Sequence, residues 1–222
     1  MIVGNGLIAS AFIRNDFHSP DHVIFASGVS NSTETNPDCY QREISLIRDY
    51  IDKSTTFVYF STTSIFDPTR QDSYYIKHKK LVEDLIREEA ASFLIVRLSI
   101  MIGHSTNPHT LINYLVNAIK EQRPVELHAN ACRHLLDIDD LLPELSSYLE
   151  EPKPRKSVNI LGSEKIRIPE LISKIEAILN KKGNYSWIDA GACFSIPDNE
   201  GECKLIADPD YVEKILHKYI HH

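Results

Sequence analysis

Residues 56–98 read "TFVYFSTTSIFDPTRQDSYYIKHKKLVEDLIREEAASFLIVRL". The runs 56–61 and 92–98 are short, apolar and rich in β-branched and aromatic residues, the pattern of buried strands. The charged stretch 76–90 between them sets Ile76, Val82, Leu85 and Ile86 at helical spacing. A buried strand, a helix and a second buried strand make a parallel pair joined by a right-handed crossover. The same stretch holds Tyr75 and Lys79 as one Tyr-x-x-x-Lys, after a hydroxyl-rich turn, Ser61-Thr62-Thr63-Ser64. Ten tyrosines in a lysine-rich chain make that tetrapeptide uninformative by itself, so its surroundings must decide.

The unit repeats on both sides. "HVIFASG" (22–28) and "VNILGS" (158–163) read as further strands, and "PVELH" as a short one. "DCYQREISLIRDYI" places Tyr40, Ile44, Ile47 and Ile51 on one helical face, behind Pro37 at the helix start. "NPHTLINYLVNAIKE" (107–121) reads as a helix with Asn107 as N-cap and Pro108 at its first position. "DIDDLLPELSSYLEE" and "IPELISKIEAIL" (168–179) are two more helices. Beyond Asn180 the periodicity weakens. Alternating strands and helices predict an α/β fold with a parallel sheet covered on both faces. Ligands of such sheets bind at the carboxyl ends of the strands, where Gly4, Gly6, Ser27, Gly28, Ser61, Thr62 and Ser99 fall.

"VGNGLIA" (3–9) gives Gly4-x-Gly6-x-x-Ala9 between a strand and a helix. The first glycine permits a tight turn, and the second lets a phosphate approach the backbone. Ala9 lets the helix pack close, and the helix N-terminus offers N–H groups to a pyrophosphate. A dinucleotide fold then supplies an Asp or Glu for the adenosine ribose roughly 20 residues on. Here the next strand ends in Ala26-Ser27-Gly28, with no acid.

Together these pieces resemble the extended short-chain dehydrogenase/reductases, the sugar-nucleotide epimerases, dehydratases and reductases, through most of residues 1–180. "GLIA" sits where that family has Gly-Phe-Ile-Gly. "VIFASGVSNS" is similar to the strand ending in its Ala-Ala pair, and "FVYFSTTSIFD" to its Ser-Ser/Thr-x-x-Val-Tyr-Gly segment. "YIKHKKLVE" sets Tyr75, Lys79 and Glu83 in register with Tyr-Gly-x-Ser-Lys-x-x-x-Glu. "IVRLSIMIG", "RHLLDIDDL" and "VNILGSEKIRIPEL" follow in family order. The resemblance implies a Rossmann-like doubly wound sheet with a small C-terminal substrate-binding lobe. The core would be 1–103 and 124–160, the lobe 104–123 and 161–222. The family's second and third strands look deleted, which takes the ribose acid away and leaves the first strand at a sheet edge.

By the same resemblance Thr62, Tyr75 and Lys79 are the catalytic set. An unperturbed phenol is a poor base at neutral pH, and a lysine at i+4 puts a cation beside it. Gly4, Gly6, Leu7, Ile8, Ala26, Ser27, Gly28 and Lys79 would hold NAD or NADP, weakly without the ribose acid. Thr63, Ser99, Asn107 and Arg133 would hold a nucleotide sugar, Arg133 by matching its diphosphate. Tyr74 should point away from the site, about 100° around the helix from Tyr75. Asp139 and Asp140, at a helix start, read as structural. His104 and His109, flanking "STNP", read as loop residues. The expected activity is NAD(P)-dependent epimerisation, dehydration or reduction of a nucleotide sugar, in bacterial surface-polysaccharide synthesis. The alternative is a non-catalytic relative that keeps the fold as a nucleotide-sugar-binding or partner protein.

The composition is that of an ordinary soluble globule. The 222 residues are 42% hydrophobic and 25% charged, with a net charge of −7, which argues against nucleic acid as partner. No apolar run approaches membrane-spanning length, and "MIVGNGLIASAF", without a basic n-region and with two glycines, is not expected to be a signal peptide. A second copy of the chain is a candidate partner. Cys39, Cys132, Cys193 and Cys203 show no metal-site spacing and are expected as reduced thiols of a cytoplasmic protein. The terminal His221 and His222 carry no argument.

Overall fold

A computed structural model describes residues 1–51, 55–105 and 107–220; Thr106, inside the "STNP" stretch, and His221 and His222 lie outside the described residues. In chain order the elements are β1 (Ile2–Val3), α1 (Leu7–Arg14), β2 (His22–Phe25), α2 (Pro37–Tyr50), β3 (Thr56–Thr62) and α3 (Tyr74–Glu89). There follow β4 (Ser92–Leu98), β5 (Ile100–Ile102), α4 (Leu111–Glu121), β6 (Val125–His128), β7 (Cys132–Asp137) and α5 (Leu141–Leu149). The last are β8 (Arg155–Leu161), β9 (Lys165–Arg167), α6 (Ile168–Leu179), β10 (Tyr185–Ile188), β11 (Glu202–Leu205) and α7 (Tyr211–Tyr219). Short 3-10 turns span Thr63–Phe66 and Ile138–Asp140.

The main sheet has the order β1-β2-β3-β4-β8-β11, and all its pairs are parallel. Side chains alternate along each strand and feed two separate cores. Val58, Phe60, Leu94, Val96 and Leu98 pack with Phe12 of α1 and Leu141 and Leu145 of α5. Phe57, Tyr59, Phe93 and Ile95 pack with Ile47 of α2 and Val82 and Ile86 of α3. This is the expected doubly wound architecture. β1 lies at the edge, as the shortened strand order requires, and its two residues pair only with β2. So short an edge offers little backbone for unwanted pairing.

A third core lies under α4, α6 and α7, with Leu115, Leu171, Ile175, Val212 and Leu216 buried in it. Two small sheets, β6 with β10 and β5-β7-β9, lie outside the main sheet. Three features differ from the sequence reading. The helix expected from Asn107 starts at Leu111, because the Asn107 side chain accepts the His109 N–H at 3.0 Å and closes a turn first. "RHLLD" is most of a strand, β7. The weakly patterned end forms β10, β11 and α7, and β11 pairs with β8, so residues 202–205 extend the main sheet although 161–222 was assigned to the lobe. β11 is a mostly exposed edge strand of sequence "ECKL", and exposure on both faces erases the apolar signature of a strand.

α7 is fastened to the core by the acids at the end of β7 and just after it. Tyr211 accepts the Asp137 N–H at 2.8 Å and donates to Asp140 Oδ2 at 2.5 Å. Lys218 donates to Asp137 and Asp139, each at 2.7 Å. Asp139 and Asp140 are thus structural. We expect Tyr211→Phe to lower the free energy of unfolding by about 1–3 kcal/mol, since it leaves a buried N–H without its acceptor. Urea denaturation measures it; an unchanged midpoint would mean the hydroxyl contributes nothing.

Candidate functional site

The glycine turn is built as a phosphate site requires. Gly4 has φ +127°, and a Cβ there would lie 2.4 Å from the Ala26 carbonyl oxygen, so only glycine lets β1 come this close to β2. A Cβ on Gly6 would meet nothing within 4 Å, so space stands open above it. Gly6 is the N-cap of α1 and, among the described residues, no side chain caps that helix, which leaves the first N–H groups, those of Leu7, Ile8 and Ala9, for a ligand. Ala9 is fully buried where the helix meets the sheet. This half of the site fits the pyrophosphate of a dinucleotide. Ala26, Ser27 and Gly28 leave the end of β2 beside it, and Arg42 of α2 donates to the Ser27 carbonyl oxygen at 2.8 Å.

α3 brings Tyr75 and Lys79 together. Ser73 caps the helix by accepting the Ile76 N–H at 3.2 Å, and its buried stripe runs through Tyr75, Lys79, Val82, Glu83 and Ile86. Lys79 Nζ lies 5.8 Å from the centroid of the Tyr75 ring. Tyr75 is only 9% exposed, in an apolar cluster with Val29, Ile65 and Ile76. Tyr74 is 68% exposed and points away, as its helical phase required. Thr62 ends β3, and its hydroxyl accepts the Ser64 N–H at 3.1 Å, holding the turn against which Tyr75 packs.

Lys79 is not free to act as expected. The residue is 2% exposed, and its ammonium donates to Glu43 Oε1 at 3.2 Å and to the Tyr59 hydroxyl at 2.8 Å. Glu43 has no exposure and accepts three further bonds, from the Val29 N–H at 2.6 Å, Tyr59 at 2.7 Å and His78 Nε2 at 3.0 Å. Burial alone would push the Glu43 carboxyl up, but the Lys79 ammonium and the hydrogen bonds from His78, Val29 and Tyr59 outweigh it and hold the group at about 2. Burial first, then the neighbouring Glu43, pushes the Tyr59 phenol well above its ordinary value, so it remains a donor. The arrangement is a closed ion pair, and as it stands it does not fit a lysine that hands its N–H groups to a ribose.

The neighbouring face is open. A cleft of about 290 Å³ lies past the carboxyl ends of β3, β4 and β8. Thr63, Ser64, Ser99 and Ile100 line it from the sheet, and Cys132, Arg133, His134 and Lys165 from β7 and β9. Its other wall is the segment before β11, with Phe194, Ser195, Ile196 and Asp198. Three of the four expected substrate residues, Thr63, Ser99 and Arg133, are on this cleft, and Asn107 is not. The Ser99 hydroxyl is buried and, among the described residues, has no hydrogen-bond partner. Arg133 is 3.7 Å from Asp67; burial lowers its pKa, and Asp67 opposes that shift. Thr62, Tyr75 and Lys79 do not line the cleft; Tyr75 packs against the turn that carries Thr63 and Ser64.

The wall before β11 is tied down. Cys132 and Cys193 form a disulfide, with Cα atoms 4.7 Å apart, where four reduced thiols were expected; Cys39 and Cys203 remain free. Lys165 donates to the Ser195 hydroxyl at 3.0 Å, and Arg97 to the Glu200 carbonyl oxygen at 2.7 Å. Sequence reasoning missed this wall because residues 189–201 carry no periodic pattern. It also missed Glu43, although a signal was present: Glu43 precedes Ile47 by one helical turn and so puts an acid on the buried stripe of α2. Among the described residues no group of His, Cys, Asp and Glu could hold a metal ion, and no helix is long and apolar enough to cross a membrane.

No family model matches this chain, and no curated protein matches it. Solved structures do. The UDP-glucuronic acid 4-epimerase of Bacillus cereus, in complex with UDP-glucuronic acid and NAD, superposes with a TM-score of 0.59 at 18% identity, over 96% of this chain and 73% of that one. The dTDP-glucose 4,6-dehydratase of Bacillus anthracis, in complex with NAD, gives 0.62 at 15% identity, over 95% and 75%. The NAD-dependent NDP-hexosamine 5,6-dehydratase TunA gives 0.64 at 16% identity, over 91% and 77%. At such identities the likeness is one of fold. The chain has the fold of the extended short-chain dehydrogenase/reductases, shortened and ending its sheet at β1.

Proposed function

We propose that this chain is an NAD(P)-dependent enzyme that epimerises, dehydrates or reduces a nucleotide sugar, in the synthesis of bacterial surface polysaccharide. The observation that carries the reading is the placement of Tyr75 and Lys79 on one stripe of α3, beside the turn that leads into the open cleft. A nicotinamide dinucleotide held at the glycine turn would supply the hydride donor or acceptor. Gly6 and the N-terminus of α1 would take its pyrophosphate. The cleft would receive the nucleotide sugar, with Arg133 and Lys165 toward its diphosphate and Ser99 toward a polar group that satisfies its buried hydroxyl. Thr62 would orient a sugar hydroxyl and Tyr75 would take or return its proton.

A second reading, a non-catalytic nucleotide-sugar-binding protein, is favoured by one observation, the capture of Lys79 by Glu43. Activity separates the two. UDP-glucose and UDP-glucuronic acid, incubated with the protein and NAD or NADPH and followed by chromatography, should be converted. Tyr75→Phe should lower that turnover by about 100-fold or more, the usual range for a lost acid/base, and should keep the fold. Equal rates in the variant and the parent would remove Tyr75 from the chemistry.

Ser99→Ala tests the cleft. The hydroxyl makes no bond among the described residues, so its loss should leave the melting temperature unchanged or slightly raised. Affinity for the nucleotide sugar should fall by a few-fold to about tenfold, the worth of one hydrogen bond. Calorimetric titration with UDP-glucose measures it, and undiminished binding would place the sugar nucleotide elsewhere.

A further inference from the structure

The buried ion pair lies beneath the end of β2, where the cofactor half of the site begins. Gly28 covers it: a Cβ there would lie 2.9 Å from both Glu43 Oε1 and Lys79 Nζ. No side chain fits between the end of β2 and the ion pair unless Glu43 or Lys79 moves. α2 fixes this cover from below with successive residues. Arg42 donates to the Ser27 carbonyl oxygen, and Glu43 accepts the Val29 N–H. Two of the three ammonium N–H bonds of Lys79 go to Glu43 and Tyr59.

A carboxylate with no exposure cannot lose its cation without cost, because no water replaces it. One ammonium N–H remains, so to hold both hydroxyls of a ribose diol Lys79 would have to give up its bond to Tyr59 or to Glu43, and giving up Glu43 would leave that charge stranded. Ribose hydroxyls are neutral, and a neutral acceptor does not compete with an anion at hydrogen-bond distance. The missing adenosine wall and the captured lysine thus weaken dinucleotide binding independently, one at each end of the cofactor. The same carboxylate, at 3.2 Å from Nζ, offsets the positive field that Lys79 places on Tyr75.

We propose that Glu43 is an internal competitor for Lys79: its carboxylate occupies the ammonium that a nicotinamide ribose would otherwise receive, and so sets how weakly the chain holds NAD(P). Glu43 touches neither sugar nor nicotinamide in this arrangement; it acts through Lys79 and is a positioning residue. The proposal rests on the reading that a dinucleotide binds at the glycine turn.

The test is isothermal titration of the parent protein and of Glu43→Gln with NAD and with NADPH, each checked for folding by thermal melting. Gln keeps the size of the side chain and removes its charge. We expect weak binding to the parent and at least tenfold tighter binding to Glu43→Gln, returned to the parent's level by adding Lys79→Met. Glu43→Ala, which also opens space under Gly28, serves as the second variant if Glu43→Gln does not fold. Equal or weaker binding by a folded variant overturns the proposal, and so does a failure of both variants to fold with saturating dinucleotide, since Glu43 would then be a structural partner alone. Tight binding by the parent overturns the proposal and leaves the enzymatic reading standing. Absence of binding by every protein overturns the proposal and that reading together.

Discussion

β3 and β4 run side by side at the centre of the main sheet, nearly all of their side chains buried on one face or the other. Neither strand has a solvent face, so each must be covered twice, and that requirement places α1 and α5 on one side and α2 and α3 on the other. The coverage has a chemical consequence. Tyr59 of β3 carries a hydroxyl into the α2–α3 core, and a buried hydroxyl needs partners. Glu43 from α2 and Lys79 from α3 supply them. The ion pair is therefore part of the way these helices are seated on the sheet.

The molecule divides its polar work between two places. Under β2 the charges are paired and sealed, and their hydrogen bonds are directed inward. Past β3, β4 and β8 polar groups line a cleft: the Ser99 hydroxyl has no partner among the described residues, while His134 Nδ1 is bonded to the Gly162 carbonyl oxygen at 2.9 Å and Arg133 donates to the Cys132 carbonyl oxygen at 2.6 Å. Sealed charges give rigidity and spend their bonding capacity on the protein itself; the unpartnered Ser99 hydroxyl retains its own for a ligand.

Much of the fold was legible because parallel strands buried on both faces read as continuous apolar runs, and "TFVYFS" and "SFLIVRL" are such runs. The edge position of β1 was legible from what was missing after it. β11 was not legible, because an exposed edge strand loses its apolar signature, and neither was the segment from 189 to 201, which is held by Cys193, Ser195 and Glu200 and not by a pattern. In the site, Tyr75, Lys79, Arg133 and Ser99 were expected from the family resemblance, and the structure sets the first two on one helix and the last two on one cleft. Spacing along a chain says nothing of a partner 36 residues away, and so Lys79 was expected to serve a cofactor while the structure gives it to Glu43.

The pairing of Glu43 with Lys79 also dictates the residue above it, Gly28. That glycine is not among the residues with a left-handed backbone, so conformational freedom does not explain it. A side chain there would intrude on Glu43 and Lys79 at 2.9 Å. Positions 28 and 43 therefore share a single volume, and bulk gained at one must be given up at the other. A small residue at a strand end is easily taken as room made for a nucleotide; here the room is already filled, by a carboxylate of the chain itself.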